Sequence, residues 1–282
     1  VADDSRGPST GAEAHDGGGG PDRVGPVLIS VQEIVDYVEC PLFYAFKRGL
    51  EITPEYTVHS LWAYTLGAHY IKIHAVYSEG KPLSWAKVLD SWDTGWGLVC
   101  KANNVSHAEG QSLRGRGARH LKEVFDELDS VSVLGYQYPS ERRFDNHLVT
   151  GHIDVIRALE DKDKGKSGRT IQIIFVDYLS THVPSTTEAN RRLDYVLALY
   201  GLSLDIRNKY RKLAAKVKTM VYLARLPKLI EYKVDEFGVR HAARWVGDVL
   251  RSIEQKIFYP RASQRCAYCS YKVFCDVSNA RS

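Results

Sequence analysis

The sequence predicts a mixed α/β domain in which a central sheet is flanked by helices, with a helical insertion ahead of the main strands. Three observations lead there. Residues 130–179 and 217–226 contain runs of β-branched and aromatic residues; segments before, between and after them repeat their apolar residues at helical spacing; and charged or glycine-bearing turns separate the runs. A chain of 282 residues, 44% of them hydrophobic, can bury one large core or one core with a small appendage.

Residues 1–26 hold four consecutive glycines, three prolines and five acids (Asp3, Asp4, Glu13, Asp16, Asp22) against Arg6 and Arg23. That composition cannot bury enough apolar surface to order itself and reads as a disordered tail. Setting it aside raises the formal net charge from +4 to +7, a modest basic excess that suits a polyanionic partner and is also common among soluble proteins. No apolar run approaches the roughly 20 residues that span a bilayer, and the N-terminus lacks the apolar segment of a signal peptide. The expectation is a soluble, cytoplasmic protein with no membrane partner.

Ordered structure is expected from Ser30, which has capping-box spacing to Glu33 before a helix bearing Ile34, Val35 and Val38. That helix runs into Cys40 and Pro41. Helices are expected over 61–77 and 116–128, within a mainly helical section around 55–130. Strands follow in "SVSVLGYQYPSERRF" (130–144), "LVTGHIDVIRAL" (148–159) and "TIQIIFVDYL" (170–179), the last two joined by the charged turn "EDKDKGKSGR". A helix over 187–202, a strand over 217–226, a helix over 241–256 and a cysteine-rich end complete the order.

Five cysteines are present: Cys40, Cys100, Cys266, Cys269 and Cys275. "CAYCSYKVFC" places three thiols at Cys-x2-Cys-x5-Cys, which in a reducing compartment points to a metal rather than to disulfides. Cys40, opening "CPLFYAF", is the natural fourth ligand and would tie the chain ends together. Four thiolates suit either tetrahedral zinc or an iron–sulfur cluster, and one group of three with a distant fourth favours the cluster. Three reduced cysteines near a loose terminus are the bland alternative, and Cys100 reads as a small core residue.

Asp154 in "GHIDVIR" and Asp177 in "IIFVDYLST" close apolar strands, where a carboxylate is costly unless paired, hydrogen-bonded or bound to metal. A hairpin across the charged turn can bring both to one end of the sheet. Two carboxylates there, with backbone carbonyls and water, make a hard-cation site for Mg²⁺ or Mn²⁺; aspartates capping turns are the competing reading.

"SVQEIVDYVECPLFYAF", "GHIDVI", "FVDYLST" and "YPRASQRCAYCSYKVFC", in that order, resemble the iron–sulfur RecB-type exonucleases of the PD-(D/E)XK superfamily, including CRISPR-associated members and relatives of AddB and exonuclease V. The resemblance spans most of residues 28–278. It implies a restriction-endonuclease-like fold over 27–259 and an iron–sulfur segment at 260–282 that packs with Cys40. It also implies a [4Fe-4S] cluster on Cys40, Cys266, Cys269 and Cys275, and a divalent metal on Asp154 and Asp177. The family's helical histidine corresponds to His69 or His120, although Thr65 and Arg116 stand where a glycine usually precedes it. Glu141 matches an acid that often precedes the first acidic strand.

The resemblance also breaks at the motif lysine. The family's lysine, two residues after the second acid, orients and helps deprotonate the attacking water and offsets charge on the phosphoryl oxygens. Leu179 occupies that place, and an isobutyl group does neither. Arg191 stands where a glutamine usually lies four residues before Tyr195; it or Arg192 could supply charge but hardly a base. Basic residues gather in "RNKYRKLAAKVK" (207–218) and "RCAYCSYK" (265–272), where lysines and arginines would meet phosphates and Tyr268 or Tyr271 could stack on bases. A solvated helix face with inward tyrosines reads equally well for the first.

The resemblance implies a metal-dependent exonuclease on single-stranded DNA or DNA ends, weakened at Leu179, with work in CRISPR adaptation beside integrase proteins or in DNA processing. The other reading is a catalytically silent DNA-binding or scaffold subunit.

Overall fold

The computed structural model describes residues 28–50, 56–144, 147–159, 169–178, 209–210, 216–232, 236–262, 266 and 269–275. The chain enters through a short strand β1 (Leu28–Ser30) and turns into α1 (Val31–Glu39) and α2 (Pro41–Gly49). Ser30 makes the expected capping box: its hydroxyl accepts from Glu33 N–H at 3.2 Å and its own N–H reaches Glu33 Oε2 at 2.8 Å. Such a cap stabilises a helix by about 1 kcal/mol. Cys40 separates the two helices, and Pro41 starts α2 at the position where a missing N–H costs nothing.

Three helices follow: α3 (Val58–Ser78), α4 (Trp85–Ala102) and α5 (His107–Glu127). Indole N–H groups clamp them. Trp62 donates to Leu113 O at 2.9 Å, Trp92 to Arg114 O at 3.0 Å and Trp96 to Gly110 O at 2.8 Å. Burial of the three rings therefore leaves no indole donor unsatisfied. Gly117 makes room for this packing, since a Cβ there would lie 2.2 Å from Trp92 Cζ2.

The sheet then forms from β2 (Val131–Phe144), β3 (His147–Leu159), β4 (Thr170–Asp177), β5 (Lys216–Leu223) and β6 (Lys228–Tyr232), and α6 (Glu236–Glu254) follows. β3 pairs antiparallel with β2 and with β4, as expected; β5 lies parallel to β4 and β6 antiparallel to β5. Side chains alternate along β4. Ile171, Ile173 and Phe175 join a core with Ile29, Ile34, Tyr44, Val246 and Leu250, whereas Ile174 and Val176 join one with Trp62, Leu66, Tyr70 and Trp92. The sheet is thus covered on one face by α1, α2 and α6 and on the other by α3–α5.

Two strands and two helices were not anticipated. β1 is only three residues long, β6 is exposed and charged, α2 follows α1 after a single residue, and α4 carries Gly95 and Gly97, which lower helix propensity. The expected helix over 187–202 and the tail over 1–26 lie outside the described residues. Among the described residues no helix is long and apolar enough to cross a membrane.

Candidate active site

The pairing of β3 creates a gap. β2 runs along one edge of β3 from His147 to Leu159, so β1 and β4 have to share the other edge. β1 takes Leu148 to Thr150 and β4 takes Val155 to Leu159. Residues 151–154 are left between them, and Asp154 stands at the point where β4 peels away.

Asp154 is 5% exposed, and its carboxylate is held from three directions. Oδ2 accepts the Val176 N–H at 2.7 Å, completing the strand edge where the ladder to β4 has ended. Oδ1 accepts from Gln137 Nε2 at 3.0 Å and lies 3.1 Å from His152 Nε2. The hydrogen bond to Asp154 raises the pKa of His152, against the opposing effect of its partial burial. Gln137 lies on β2 between Tyr136 and Tyr138, partners of Val155 and Ile153, with a left-handed φ of 43°. Non-glycine residues hold that conformation at a cost of order 1–3 kcal/mol, and such strain concentrates at functional positions.

Asp177 ends β4, and its backbone carbonyl accepts Ala224 N–H at 2.8 Å, fixing the turn after β5 beside it. That turn carries Arg225, whose Nη2 donates to Ser60 Oγ and whose buried Nε has no hydrogen-bond partner among the described residues. Burial lowers the pKa of Arg225, while the charge of Asp177 opposes the shift. Tyr178 packs under α3 at Gly67, where a Cβ would lie 2.5 Å from Tyr178 Cε1. Burial raises the Tyr178 hydroxyl far above its ordinary range, with the charge of Asp154 adding to the effect. Tyr178 stands two residues beyond the N–H that Asp154 binds.

The two candidate histidines have contacts of their own. His69 is wedged between α3 and α4, Nδ1 2.8 Å from Thr65 O and Nε2 3.1 Å from Ser91 O. His120 places Nδ1 3.2 Å from Glu123 Oε2 and stacks on Tyr222, with centroids 5.6 Å apart. Tyr70 is the α3 residue that responds to Asp154: burial pushes its hydroxyl up to about 12, and Glu127 and Asp154 add to this while Arg157 opposes it. Leu179, Arg191, Arg192 and Tyr195 lie outside the described residues, as does Tyr268. Gln137, His152, Tyr178 and Arg225 were given no role by sequence reading, although His152 lies inside "GHIDVI" and Tyr178 inside "FVDYLST".

Among the described residues, no three histidine, cysteine or acidic side chains are grouped closely enough to hold a metal ion. The donor chemistry still suits a hard divalent cation. A carboxylate offers about four lone-pair sites, three donors occupy those of Asp154, and Asp177 stands one residue beyond the N–H that Asp154 binds.

The cysteine segment packs on α2. Arg261 N–H donates to Cys40 Sγ at 3.5 Å and Arg261 O accepts from Cys266 Sγ at 3.9 Å, so one backbone residue touches both cysteines. Tyr271 is buried against Phe43 and Phe46, at 5.2 and 5.7 Å between centroids. Among the described residues the five cysteines form no disulfide, and Cys40, Cys266, Cys269 and Cys275 do not form a group that could hold a metal ion.

Asp154 in the split edge of β3 and Asp177 at the end of the neighbouring strand make up the candidate site. The profile of the PD-(D/E)XK nuclease superfamily matches residues 28–276, and the chain belongs to that superfamily. Membership supports a nuclease type of function acting on the phosphodiesters of nucleic acid, and members of this superfamily generally use divalent metals such as Mg²⁺ or Mn²⁺. Among solved structures, the chain is similar to a candidate exonuclease from Eubacterium rectale, at 8% identity and a TM-score of 0.43 over 90% of this chain and 88% of that one. No curated protein sequence matches the chain.

Proposed function

We propose that the protein is a metal-dependent DNA exonuclease acting on single strands or duplex ends, weakened by Leu179. The observation that carries this reading is the Asp154 carboxylate seated in the gap of the β3 edge, bonded to the strand that ends in Asp177. In this reading Asp154 and Asp177 hold the Mg²⁺ or Mn²⁺ ion. When bound, the ion would lower the pKa of water and neutralise charge on the phosphodiester. Gln137 and His152 orient Asp154, and Arg225 offers positive charge beside Asp177.

Leu179 removes the ammonium that the motif otherwise supplies, and loss of one preorganised charge costs on the order of a hundredfold to a thousandfold in rate. The test is cleavage of end-labelled single-stranded DNA with Mn²⁺ by the protein and by Leu179→Lys. Cleavage raised by the lysine supports the reading; no cleavage by either form, with folding intact, moves it to the second reading. That reading, a silent DNA-binding or scaffold subunit, is favoured by Leu179 itself.

The motif order supports a place among the iron–sulfur RecB-type members. Residues 27–259 then form the nuclease-like domain with a helical insertion around 55–130. The segment 260–282 closes a [4Fe-4S] cluster through Cys266, Cys269, Cys275 and Cys40. The same resemblance supports work in CRISPR adaptation, beside integrase proteins, or in DNA end processing.

A further inference from the structure

Three tyrosines run from the surface to the acidic end of β4. Tyr178, next to Asp177, stacks on Tyr64 of α3 with centroids 4.8 Å apart and planes inclined by 22°. Tyr56, just ahead of α3, meets Tyr64 edge-on at 5.6 Å and 78°. Tyr56 is 48% and Tyr64 37% exposed, so the run is open to solvent at one end and closed at the other by Gly67 of α3. Tyr64 on α3 and Tyr56 just ahead of it leave ring area uncovered beside the candidate active site.

Positive charge lies beside the same rings. Arg225 donates to Ser60, one turn before Tyr64 on α3, and Tyr64 stacks on the residue that follows Asp177; burial raises the pKa of Tyr64, with Tyr56, Asp36 and Asp177 adding and Arg225 opposing. Asp36 is itself paired with Lys47 at 2.6 Å. Arg225 has its unpartnered Nε, and exposed Arg116 reaches Arg225 O at 3.3 Å and covers the Trp62 ring at 4.9 Å. Aromatic faces beside guanidinium groups are the parts from which sites for unpaired strands are made, because every base has a stackable face and every linkage a charge.

We infer that Tyr56 and Tyr64, backed by Tyr178, form a stacking subsite for the unpaired bases of a nucleic-acid strand, with Arg225 and Arg116 receiving its phosphates. The subsite rests on the nuclease reading of Asp154 and Asp177, which it supplies with a strand. A duplex end enters it only by unpairing, so the ladder selects single strands.

The test is fluorescence anisotropy of the full chain in metal-free buffer, where nothing is cut. The probes are labelled oligothymidylate, the same backbone with abasic residues, and a blunt duplex. The variants are Tyr64→Ala, Tyr64→Phe and Tyr56→Ala, with circular dichroism confirming the fold. Each alanine is expected to weaken oligothymidylate binding on the order of tenfold and to leave the abasic strand nearly unchanged, while Tyr64→Phe binds like the parent. Alanine variants that bind all probes as the parent does overturn the subsite and leave the nuclease reading standing; so does a parent that binds the abasic strand as tightly as oligothymidylate. A parent that binds no nucleic acid overturns the nuclease reading and the subsite with it. Tyr56→Ala keeps the test decisive if Tyr64→Ala fails to fold.

Discussion

His74 of α3 is fully buried, with Nδ1 donating to Tyr70 O at 2.8 Å and Nε2 facing Arg157 Nη1 at 3.4 Å. Arg157 is also bonded to Gln172 Oε1 at 2.8 Å and faces Glu127 at 3.4 Å. Protonating His74 would set a second cation against the guanidinium without water. Burial accordingly lowers its pKa from 6.5 to about 4, the bond to Tyr70 opposing and Arg157 adding to the shift. The unfolded chain then binds the proton first as pH falls. Stability from this residue is complete above pH 6.5 and drains away as pH drops towards 4. The slope approaches about 1.4 kcal/mol per pH unit. His74→Gln keeps a polar partner for Arg157 and cannot titrate, so urea unfolding between these pH values should show a flatter profile. A slope identical to the parent's would contradict the assignment. None of this was visible in the sequence, where attention fell on His69 and His120; spacing cannot tell which helical histidine faces a buried arginine from another strand.

At the scale of elements, glycines set how closely helices approach. Gly117 of α5 lies under Trp92 and Gly67 of α3 under Tyr178 and Val176, with the nearest atoms 2.2 Å and 2.5 Å from the missing Cβ. Gly117→Ala should cost about 1–3 kcal/mol, the usual range for overpacking, and leave nucleic-acid binding intact. Gly67→Ala should also destabilise, but by displacing Tyr178 it should weaken binding as well. Thermal melts and anisotropy on the two variants separate these outcomes, and equal binding by both would argue against Tyr178 as part of the site. The long strands were legible because β2, β3 and β4 are dense in β-branched and aromatic residues. The helix α4 was not, because its glycines mask a segment that Trp92 and Trp96 anchor through bonds to another helix. The two acids could be placed on their strands by pattern. The gap that makes Asp154 chemically distinct arises from β1 and β4 sharing an edge, a pairing that no local pattern encodes.

At the scale of the whole molecule, the α1–α2 corner meets the segment after α6: Tyr37 Oη donates to Ile257 O at 2.7 Å, Leu42 N–H to Tyr259 O at 3.2 Å, and Arg261 lies against both Cys40 and Cys266. Cys40 had been linked to the distant cysteines by residue type alone, and these contacts bring their segments together. The proposed cluster predicts that anaerobically purified protein is brown, and that Cys269→Ala loses the visible absorption and lowers thermal stability by a few degrees or more. Colourless protein carrying zinc would contradict the cluster and leave the nuclease site untouched.

The central claim is that Asp154, in the gap of β3, is the chemical centre of a nuclease. The most direct measurement compares Mn²⁺-dependent cleavage of labelled single-stranded DNA by Leu179→Lys and by Leu179→Lys carrying Asp154→Ala. The account predicts cleavage in the first and at least a hundredfold less in the second, with binding retained. Equal cleavage by the two proteins would contradict it.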